Sequence, residues 1–529
     1  MPAILRLDTL STPTGETEIP VAEIATASTP ILATGSTAGR ALSDRFADIV
    51  NVKDFGAKGD GSTDDTAAFL AAMTKGVAYV PAGNYFIAST IAVTLSPTQD
   101  TGLVGTGPES SRLVFADGAG IRITEGTESF SAGDKATCRF EKLGLETRGQ
   151  GTASAISLIN SDGGNAYSLD TSFSDLRLSG VTNDLYWSNG IYAESCTFAN
   201  FRDILYQGKT TVGGGTAIFL DGQKTDASDV IIDNLRVHDG TRGVQVNGGW
   251  EGVHVSNTTM LSGSGLEYGI NWENYTGERN PYLSVDNTHI NSTGICIRAI
   301  NVAQVIVSSC LLYVANIDGK QTRGVVLGAD ADQGGDDLSQ IKNTTIIGVN
   351  QNTTSSASEG VQIAVNQRHV SIDISAENLT TGINAATDTG VVISPTTRLY
   401  ACRTFVSGVT GTGEYRRDSG SFKNLDLSVQ YENSTDSRYD FDISNQQLRV
   451  GTAVFTAAST TETRRVELNK QMRTGVATAI VCFGSNPSSD TARVTAPRDN
   501  TAYTNSFGIR VTGLTVGESY RINYVAYGY

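Results

Sequence analysis

A short pattern that recurs along the middle of the chain constrains the fold most strongly. It consists of a small residue, an apolar, a variable and a second apolar residue, and a fifth residue that is often polar. Successive copies start 27, 26, 26, 25, 30 and 36 residues apart. They begin at Gly190, Ala217, Gly243, Gly269, Gly294, Gly324 and Gly360. The apolar residues alternate with a period of two, which is typical of a β-strand with one buried face.

A second series runs in step with the first and consists of an apolar residue, any residue, and then Asn or Asp. Its members are Phe173-Ser-Asp175, Phe198-Ala-Asn200, Ile232-Asp-Asn234, Val255-Ser-Asn257, Val285-Asp-Asn287 and Ile341-Lys-Asn343. Asn and Asp tolerate the left-handed backbone of a sharp bend. A coil of about 25 to 30 residues is too short for helix-bearing repeats but suits a β-solenoid with stacked asparagines. We therefore expect an all-β protein with a parallel β-helix of roughly ten coils over residues 121–395.

The two ends of such a solenoid need caps, and the flanking sequence predicts both. Asp64 to Lys75 predict a short N-terminal cap helix, because Asp64 can cap it and Gly76 can end it. Separate alternating strands after residue 424 predict a C-terminal antiparallel β-sandwich. The predicted domains are an N-terminal arm (1–48), an opening and cap segment (49–120), the β-helix (121–400), a neck (401–423) and the C-terminal domain (424–529).

Composition excludes several classes of protein. The chain has 39 Lys and Arg against 55 Asp and Glu, a net charge of −16, which argues against a broad surface for nucleic acid or anionic lipid. Neither a signal peptide nor a membrane helix is expected, since the required apolar runs are missing. Six widely spaced cysteines predict reduced, buried thiols, and the four histidines show no metal-site spacing. We expect no metal and no cofactor.

The opening segment carries several motifs at close spacing. They are Arg45-Phe46-Ala-Asp48, Asn51-Val-Lys-Asp-Phe-Gly-Ala57, Gly59-Asp-Gly61 followed by Asp64-Asp-Thr66, Val77-Ala-Tyr-Val-Pro-Ala-Gly-Asn-Tyr85 and Gly105-Thr-Gly-Pro108. This segment resembles the start of pectate-lyase-like right-handed parallel β-helix proteins, particularly bacteriophage tailspikes. The later coils match that superfamily by periodicity and not by motif.

The resemblance implies a homotrimer that binds, and often depolymerises, a bacterial surface polysaccharide such as capsule or lipopolysaccharide O-antigen. It also implies an N-terminal arm that docks on the phage tail or baseplate, and a C-terminal region for trimerisation or carbohydrate binding. Such a protein is assembled in the host cytoplasm, belongs to the virion tail, and acts at the bacterial cell surface. It involves no nucleic acid and no membrane insertion. The tripeptides Asn-Thr-Asp and Gly-His-Gly of polygalacturonases are missing from the sequence, so pectin hydrolysis is not expected.

Positions three and five of the first series share the outward face of the predicted strands. Position five gives a column of Glu194, Asp221, Asn247, Glu273 and Arg298, and position three gives Tyr192, Phe219, Gln245, Asn271 and Cys296. Carboxylates beside aromatic rings predict a sugar-binding groove, because a ring covers the apolar face of a pyranose while carboxylates accept hydrogen bonds from hydroxyl groups. Trp250 and Tyr275 are predicted on turns as further sugar platforms, whereas Trp272 falls at an inward position.

The spacing of stacked coils suggests a catalytic carboxylate pair. Coils about 4.8 Å apart would place Glu194 and Asp221 near the roughly 5 to 5.5 Å of a retaining glycosidase. Asp221 and Glu273, two coils apart, would be separated by about 9.6 Å, at the upper edge of the inverting range. We therefore predict catalysis by Asp221 with Glu273 or Glu194. Tyr192, Phe219, Asn247 and Arg298 would contact the substrate.

The same residues are compatible with less specific roles. Exposed acids on a solenoid face usually only solvate it, and Glu273 with Arg298 can be an ordinary surface ion pair. Competing acids are Asp239, Glu251 beside Trp250, and Glu278 beside Arg279. The sequence is also compatible with a lyase acting on a uronic acid, since an arginine can neutralise the substrate carboxylate. A glycan-binding adhesin that has no activity and a secreted pectin-type enzyme are the less favoured alternatives.

Overall fold

The computed structural model describes residues 39–407 apart from 97–98, 126–135, 160–168, 195, 210–213, 228, 262–264, 274–279, 316–320, 329–337, 350–356, 364–369, 386–390, 394–396 and 401–403. Before residue 39 and between residues 438 and 528 it describes mainly the backbones of strands. The chain divides into two compact units, Met1–Thr210 with Gly214–Ile231, and Thr211–Gly213 with Ile232–Tyr529. Within the described ranges, no helix has both the length and the apolar character needed to cross a membrane.

The predicted cap helix is present as Thr66–Met73. The N-cap residue is Asp65, one position after the Asp64 that the sequence predicts, and the Asp64 carboxylate accepts a hydrogen bond of 3.0 Å from the Thr66 amide. The carboxylate of Asp65 accepts bonds from the amides of Lys58 at 2.7 Å and Gly59 at 3.0 Å, which ties the opening turn to the helix start. The Gly/Asp-rich motif therefore fixes the start of the cap helix against the turn that precedes it. The neighbouring short elements are the strands Thr9–Ser11, Glu18–Pro20, Pro30–Ile31 and Arg40–Ala41, the helix Leu42–Ala47 and the 3₁₀ turn Val52–Phe55.

The first unit contains two parallel sheets that share one solenoid. In one sheet, successive coils each add a single strand: Ile91–Leu95, Ile121–Glu125, Ser154–Ile159, Asn189–Glu194 and Thr216–Ala227. In the other, early coils add two short strands and later coils one long bent strand. These strands are Val50–Asn51, Asp60–Asp64, Val77–Val80, Gly83–Ile87, Thr101–Gly105, Ser111–Phe115, Ala136–Thr147, Leu169–Gly180 and Thr197–Gln207.

The second unit repeats this arrangement. Its first sheet contains Arg242–Trp250, Tyr268–Glu273, Ile295–Ile300, Gln321–Gly328, Ala357–Ile363, Thr381–Ala385 and Thr404–Ser407. Its second contains most of Val230–His238, then Gly252–Ser256, Thr259–Leu261, Asn280–Asp286, His289–Ser292, Val302–Ser308, Leu311–Ala315, Ser339–Val349, Val370–Glu377, Val391–Ile393 and Arg398–Tyr400. The structure thus confirms the predicted parallel β-helix.

The C-terminal strands are antiparallel, as the sequence predicts. One sheet has the order Arg438–Ile443, Gln446–Thr456, Ser519–Gly528, Val476–Phe483, and the other has the order Thr461–Glu467, Ser506–Thr512, Arg493–Thr495. Two antiparallel sheets of this kind are the components of a β-sandwich.

Left-handed residues bend each coil at an equivalent place. In the first unit Asp175 and Asp203 have φ of 51° and 54°, and in the second unit Asn257 and Asn287 have 51° and 47°. The side-chain amide of Asn287 donates to Asn257 Oδ1 at 2.7 Å, so the predicted stacking of asparagines occurs there. One member of the second series is misplaced by the sequence pattern. Asp203, and not Asn200, takes the left-handed position in its coil.

The core is built from columns of like side chains. The buried rings of Phe140, Phe173 and Phe201 stack face to face, with centroids 5.7 and 5.0 Å apart. The small residue that starts each repeat has an equally direct cause. A Cβ on Gly269 would lie 2.5 Å from the carbonyl oxygen of Cys296, so the next coil leaves no room for a side chain there. The four described cysteines, Cys138, Cys196, Cys296 and Cys310, are buried free thiols, as predicted.

Candidate active site: a carboxylate pair beside two aromatic rings

Two strands of the first unit bring the predicted carboxylates together. Asn189–Glu194 pairs in parallel with Thr216–Ala227, with Tyr192 opposite Phe219 and Glu194 opposite Asp221. Residues opposite each other on paired strands lie about 4.8 Å apart and point to the same side. The structure therefore confirms that these four side chains form one patch across two adjacent coils.

The aromatic and acidic members of this patch are in direct contact. The Tyr192 hydroxyl donates a hydrogen bond of 3.0 Å to Asp221 Oδ2. The rings of Tyr192 and Phe219 meet edge to face, with centroids 5.3 Å apart and an interplanar angle of 89°. Asp221 is 8% exposed and Glu194 is half-buried. One carboxylate is thus held against a phenol in a sheltered position, while the other is more open to solvent.

The electrostatics of Tyr192 reflect both carboxylates. Burial raises the pKa of its phenol most, followed by the charge of Asp221, the hydrogen bond to Asp221 and the charge of Glu194. The hydroxyl therefore keeps its proton at neutral pH and acts as a donor. The hydrogen bond that it donates is accepted by Asp221. The two acids consequently have different environments.

The second unit carries a separate polar ladder, defined here as Gln245, Asn247, Asn271, Glu273 and Arg298. Register places Gln245 opposite Asn271 and Asn247 opposite Glu273, as the sequence predicts. Gln245 Nε2 donates to Asn247 Oδ1 at 2.6 Å, and Asn271 Nδ2 donates to Gln245 Oε1 at 2.9 Å. Arg298 donates to Asn271 Oδ1 at 3.1 Å and forms an ion pair with Glu273. The ladder is therefore a connected network across three coils.

The sequence predicts Arg298 at position five of its repeat, and this prediction is wrong by two residues. Asn271 lies opposite Arg298 and Ile270 opposite Ile297, so Arg298 continues position three and not position five. Cys296, predicted to face outward, is fully buried and takes the small-residue position instead of Gly294. Alternation of period two is unchanged by a shift of two residues, which is why the pattern did not distinguish the two alignments.

The structure contradicts one of the two aromatic platforms that were predicted outside the patch. Trp250, expected on a turn, is the last residue of the strand Arg242–Trp250 and is only 1% exposed. A large indole gains most by packing into the core, so it does not offer a sugar platform. Trp272 is fully buried, as predicted. Tyr275 lies outside the described residues.

Two of the competing acids, Asp239 and Glu251, lie among the residues that the structure describes. Asp239 is half-buried at a left-handed bend with φ of 56°, and Glu251 is exposed. Glu278 and Arg279 lie outside the described residues. In the described ranges, no group of three His, Cys, Asp or Glu side chains is arranged to hold a metal ion.

The sequence pattern missed an exposed aromatic residue that lies close to Glu194 in the sequence. Phe198 is the apolar member of its triplet in the second series, but its side chain is 57% exposed and its φ is 50°. It follows Glu194 by four positions. No motif marks it, and the only signal in the sequence is its proximity to a candidate acid.

Comparison with protein families identifies the solenoid independently. Residues 49–271 match the family model described as rhamnogalacturonase A/epimerase, pectate lyase-like. No curated protein matches the sequence significantly.

Solved structures similar to this one include two tailspike proteins and a further viral protein. The capsular polysaccharide depolymerase gp49 of Acinetobacter baumannii bacteriophage Fri1 is 11% identical, with 95% of this chain and 90% of that chain covered and a TM-score of 0.35. Tailspike protein 4 of bacteriophage CBA120 is 12% identical, with 95% and 72% covered and a TM-score of 0.35. Geobacillus virus E2 ORF18 is 13% identical, with 88% and 77% covered and a TM-score of 0.33.

The family match covers the opening segment, the cap helix and the coils that carry Glu194 and Asp221. The resemblance inferred from the opening motifs is confirmed for this part of the chain. Over residues 49–271, this protein therefore has a pectate-lyase-like parallel β-helix.

Proposed function

We propose that the protein is a phage tailspike that depolymerises a bacterial surface polysaccharide, capsule or lipopolysaccharide O-antigen, by glycoside hydrolysis. The observation that carries this proposal is the register of Glu194 opposite Asp221, with the Tyr192 hydroxyl on Asp221. Paired carboxylates one strand spacing apart match the roughly 5 to 5.5 Å separation of retaining glycosidases. The pectate-lyase-like family match and the tailspike-like opening segment support the same function.

The two carboxylates have different roles because their surroundings differ. Asp221, which accepts the bond from Tyr192, is the nucleophile, and the more open Glu194 is the general acid. An Asp221 oxygen bonds to the anomeric carbon as the glycosidic bond breaks, and Glu194 gives its proton to the leaving oxygen. Water then attacks the anomeric carbon, Glu194 takes the water's proton, and the bond to Asp221 breaks.

Glu273 is the weaker partner in this scheme. It forms an ion pair with Arg298, and each side chain is 25% exposed. A carboxylate held by a guanidinium is stabilised as an anion and is a poor proton donor. The same ion pair neutralises the cation that a uronate lyase would need. The polar ladder, including Asn247 and Arg298, offers a separate hydrogen-bonding surface for a glycan within the second unit.

The remaining parts of the chain take the roles that the resemblance implies. Residues 1–48 dock the protein on the tail or baseplate, 121–400 bind and cleave the glycan, and 424–529 hold a homotrimer or bind carbohydrate. The protein acts at the bacterial cell surface as part of the virion tail.

Hydrolysis of purified capsular polysaccharides and O-antigen chains tests the proposal. New reducing ends are expected from the wild-type protein, with retained anomeric configuration by NMR of the first product. Asp221→Asn and Glu194→Gln should each lower turnover at least 100-fold, while the matched control Glu377→Gln, an exposed acid of the second unit, should retain it. Ultraviolet absorbance from an unsaturated product would identify a lyase, and binding without any new ends would identify an adhesin. Unchanged turnover in both Asp221→Asn and Glu194→Gln would refute this assignment of the pair.

A further inference from the structure

Phe198 has a backbone conformation that bulky residues avoid. Among the described residues, twelve residues other than glycine have positive φ, and Phe198 is the only apolar one. The others are Lys, Asp, Asn or Ser, of which Asn and Asp adopt this conformation most readily. For a residue with a large side chain, such a conformation is strained and persists only where the surroundings impose it.

The strain coincides with an inserted residue in the strand. The strand Thr197–Gln207 pairs with Leu169–Gly180, with Thr197 opposite Asp170 and Asn200 opposite Ser172. Two residues, Phe198 and Ala199, therefore lie opposite the single residue Thr171, which defines a β-bulge. Bulges redirect a side chain at the edges of sheets and beside active sites.

The residues around the bulge hold it in place. Cys196 is 4% exposed before it and Ala199 is fully buried after it, so the chain is anchored on both sides. The Asn200 side-chain amide donates to the Phe198 carbonyl oxygen at 3.2 Å. The phenyl ring between these anchors is 57% exposed. A strained and fixed backbone therefore presents an apolar ring to solvent.

The position of the ring relates it to the carboxylate pair. Phe198 follows Glu194 by four residues, so the two Cα atoms are at most about 14 Å apart. A polysaccharide bound at Glu194 and Asp221 extends beyond the cleaved bond and offers the apolar faces of further sugar rings. An aromatic face covers such a surface without the entropy loss of ordering a flexible side chain.

We propose that Phe198 is a sugar-binding platform adjacent to the carboxylate pair, which packs on the apolar face of a sugar ring neighbouring the cleaved bond. This inference rests on the proposed depolymerase function and adds to it a binding residue and the reason for the bulge. In this proposal the strained backbone of Phe198 is retained because it holds the ring in position to pack on the apolar face of the sugar.

The test separates binding from stability. Phe198→Asn suits a left-handed backbone, so it should raise the unfolding midpoint, yet it should raise KM about tenfold or more with kcat within about twofold. Phe198→Ala should raise KM similarly, and Phe198→Tyr, which keeps a ring, should restore it. Leu338→Ala is the matched control, because Leu338 is 61% exposed and lies in the second unit.

The outcomes distinguish this inference from the proposed function. The glycans are purified capsular polysaccharides and O-antigen chains. If the wild-type protein binds one without cleaving it, hydrolysis is refuted, and the Kd of the same Phe198 variants for that glycan tests the platform. If it cleaves and the variants keep the wild-type KM, the platform is refuted and hydrolysis stands. A lower oligomer mass in Phe198→Ala with unchanged KM would place the ring against a second copy of the chain, and failure to bind any glycan would overturn both.

Discussion

The bond between Tyr192 and Asp221 makes a measurable contribution to stability that a double-mutant cycle can isolate. Tyr192→Phe removes the hydroxyl and keeps the ring that meets Phe219 at 5.3 Å. Because Asp221 is only 8% exposed, losing a hydrogen bond to its charged group should cost about 1.5 to 3 kcal/mol of unfolding free energy. In an Asp221→Asn background the acceptor is neutral, and the same change should cost about 0.5 to 1.5 kcal/mol. The expected coupling energy is therefore about 1 kcal/mol or more.

Urea unfolding at neutral pH, followed by circular dichroism and fluorescence, measures the four free energies of the cycle. Tyr206→Phe is the control, because the Tyr206 hydroxyl donates to carbonyl oxygens, those of Trp187 at 2.7 Å and Gly214 at 3.1 Å. Its cost should be the same with Asp or Asn at position 221. If Tyr192→Phe also costs the same in both backgrounds, the phenol does not stabilise the carboxylate, and the basis for choosing Asp221 as nucleophile is lost.

Three further predictions concern the stability of the solenoid. Burial raises the pKa of Tyr85 from 10.0 to about 12, so the folded state holds the phenol proton more tightly than the unfolded state does. The stability that this difference contributes is complete below pH 10 and is lost between pH 10 and 12. By pH 12 the unfolding free energy of the wild type, measured in urea titrations, should therefore fall by about 2 kcal/mol more than that of Tyr85→Phe. A Cβ at Gly324 would lie 2.5 Å from the Gly360 carbonyl oxygen, so Gly324→Ala should cost about 1 to 3 kcal/mol, and an unchanged unfolding midpoint would contradict this packing. Burial raises the pKa of Cys310 to about 11, so its thiol should resist iodoacetamide at pH 8 until urea unfolds the chain, and alkylation of the native protein would disprove its burial.

The solenoid and the pairing of Glu194 with Asp221 could be predicted because the order of apolar, polar and small side chains shows both the alternation of the strands and the length of the coils. Glu194 and Asp221 stand 27 positions apart, which is one repeat of the pattern, and they lie opposite each other in the paired strands. Their pairing therefore followed directly from the repeat. Arg298 was displaced because a cysteine, and not a glycine, fills the small-residue position of its coil. A buried thiol is small enough for that position, but it does not resemble the glycines around it.

The repeat pattern could not predict the bulge at Phe198, for a different physical reason. An extra residue in one coil shifts the register locally, but the core column resumes at once, since Phe201 still stacks on Phe173 at 5.0 Å. The inserted residue therefore leaves the apolar pattern almost intact, and the side chain that it redirects is that of Phe198. A solenoid can alter its surface in this way without disturbing its interior, because each coil needs only to match the next.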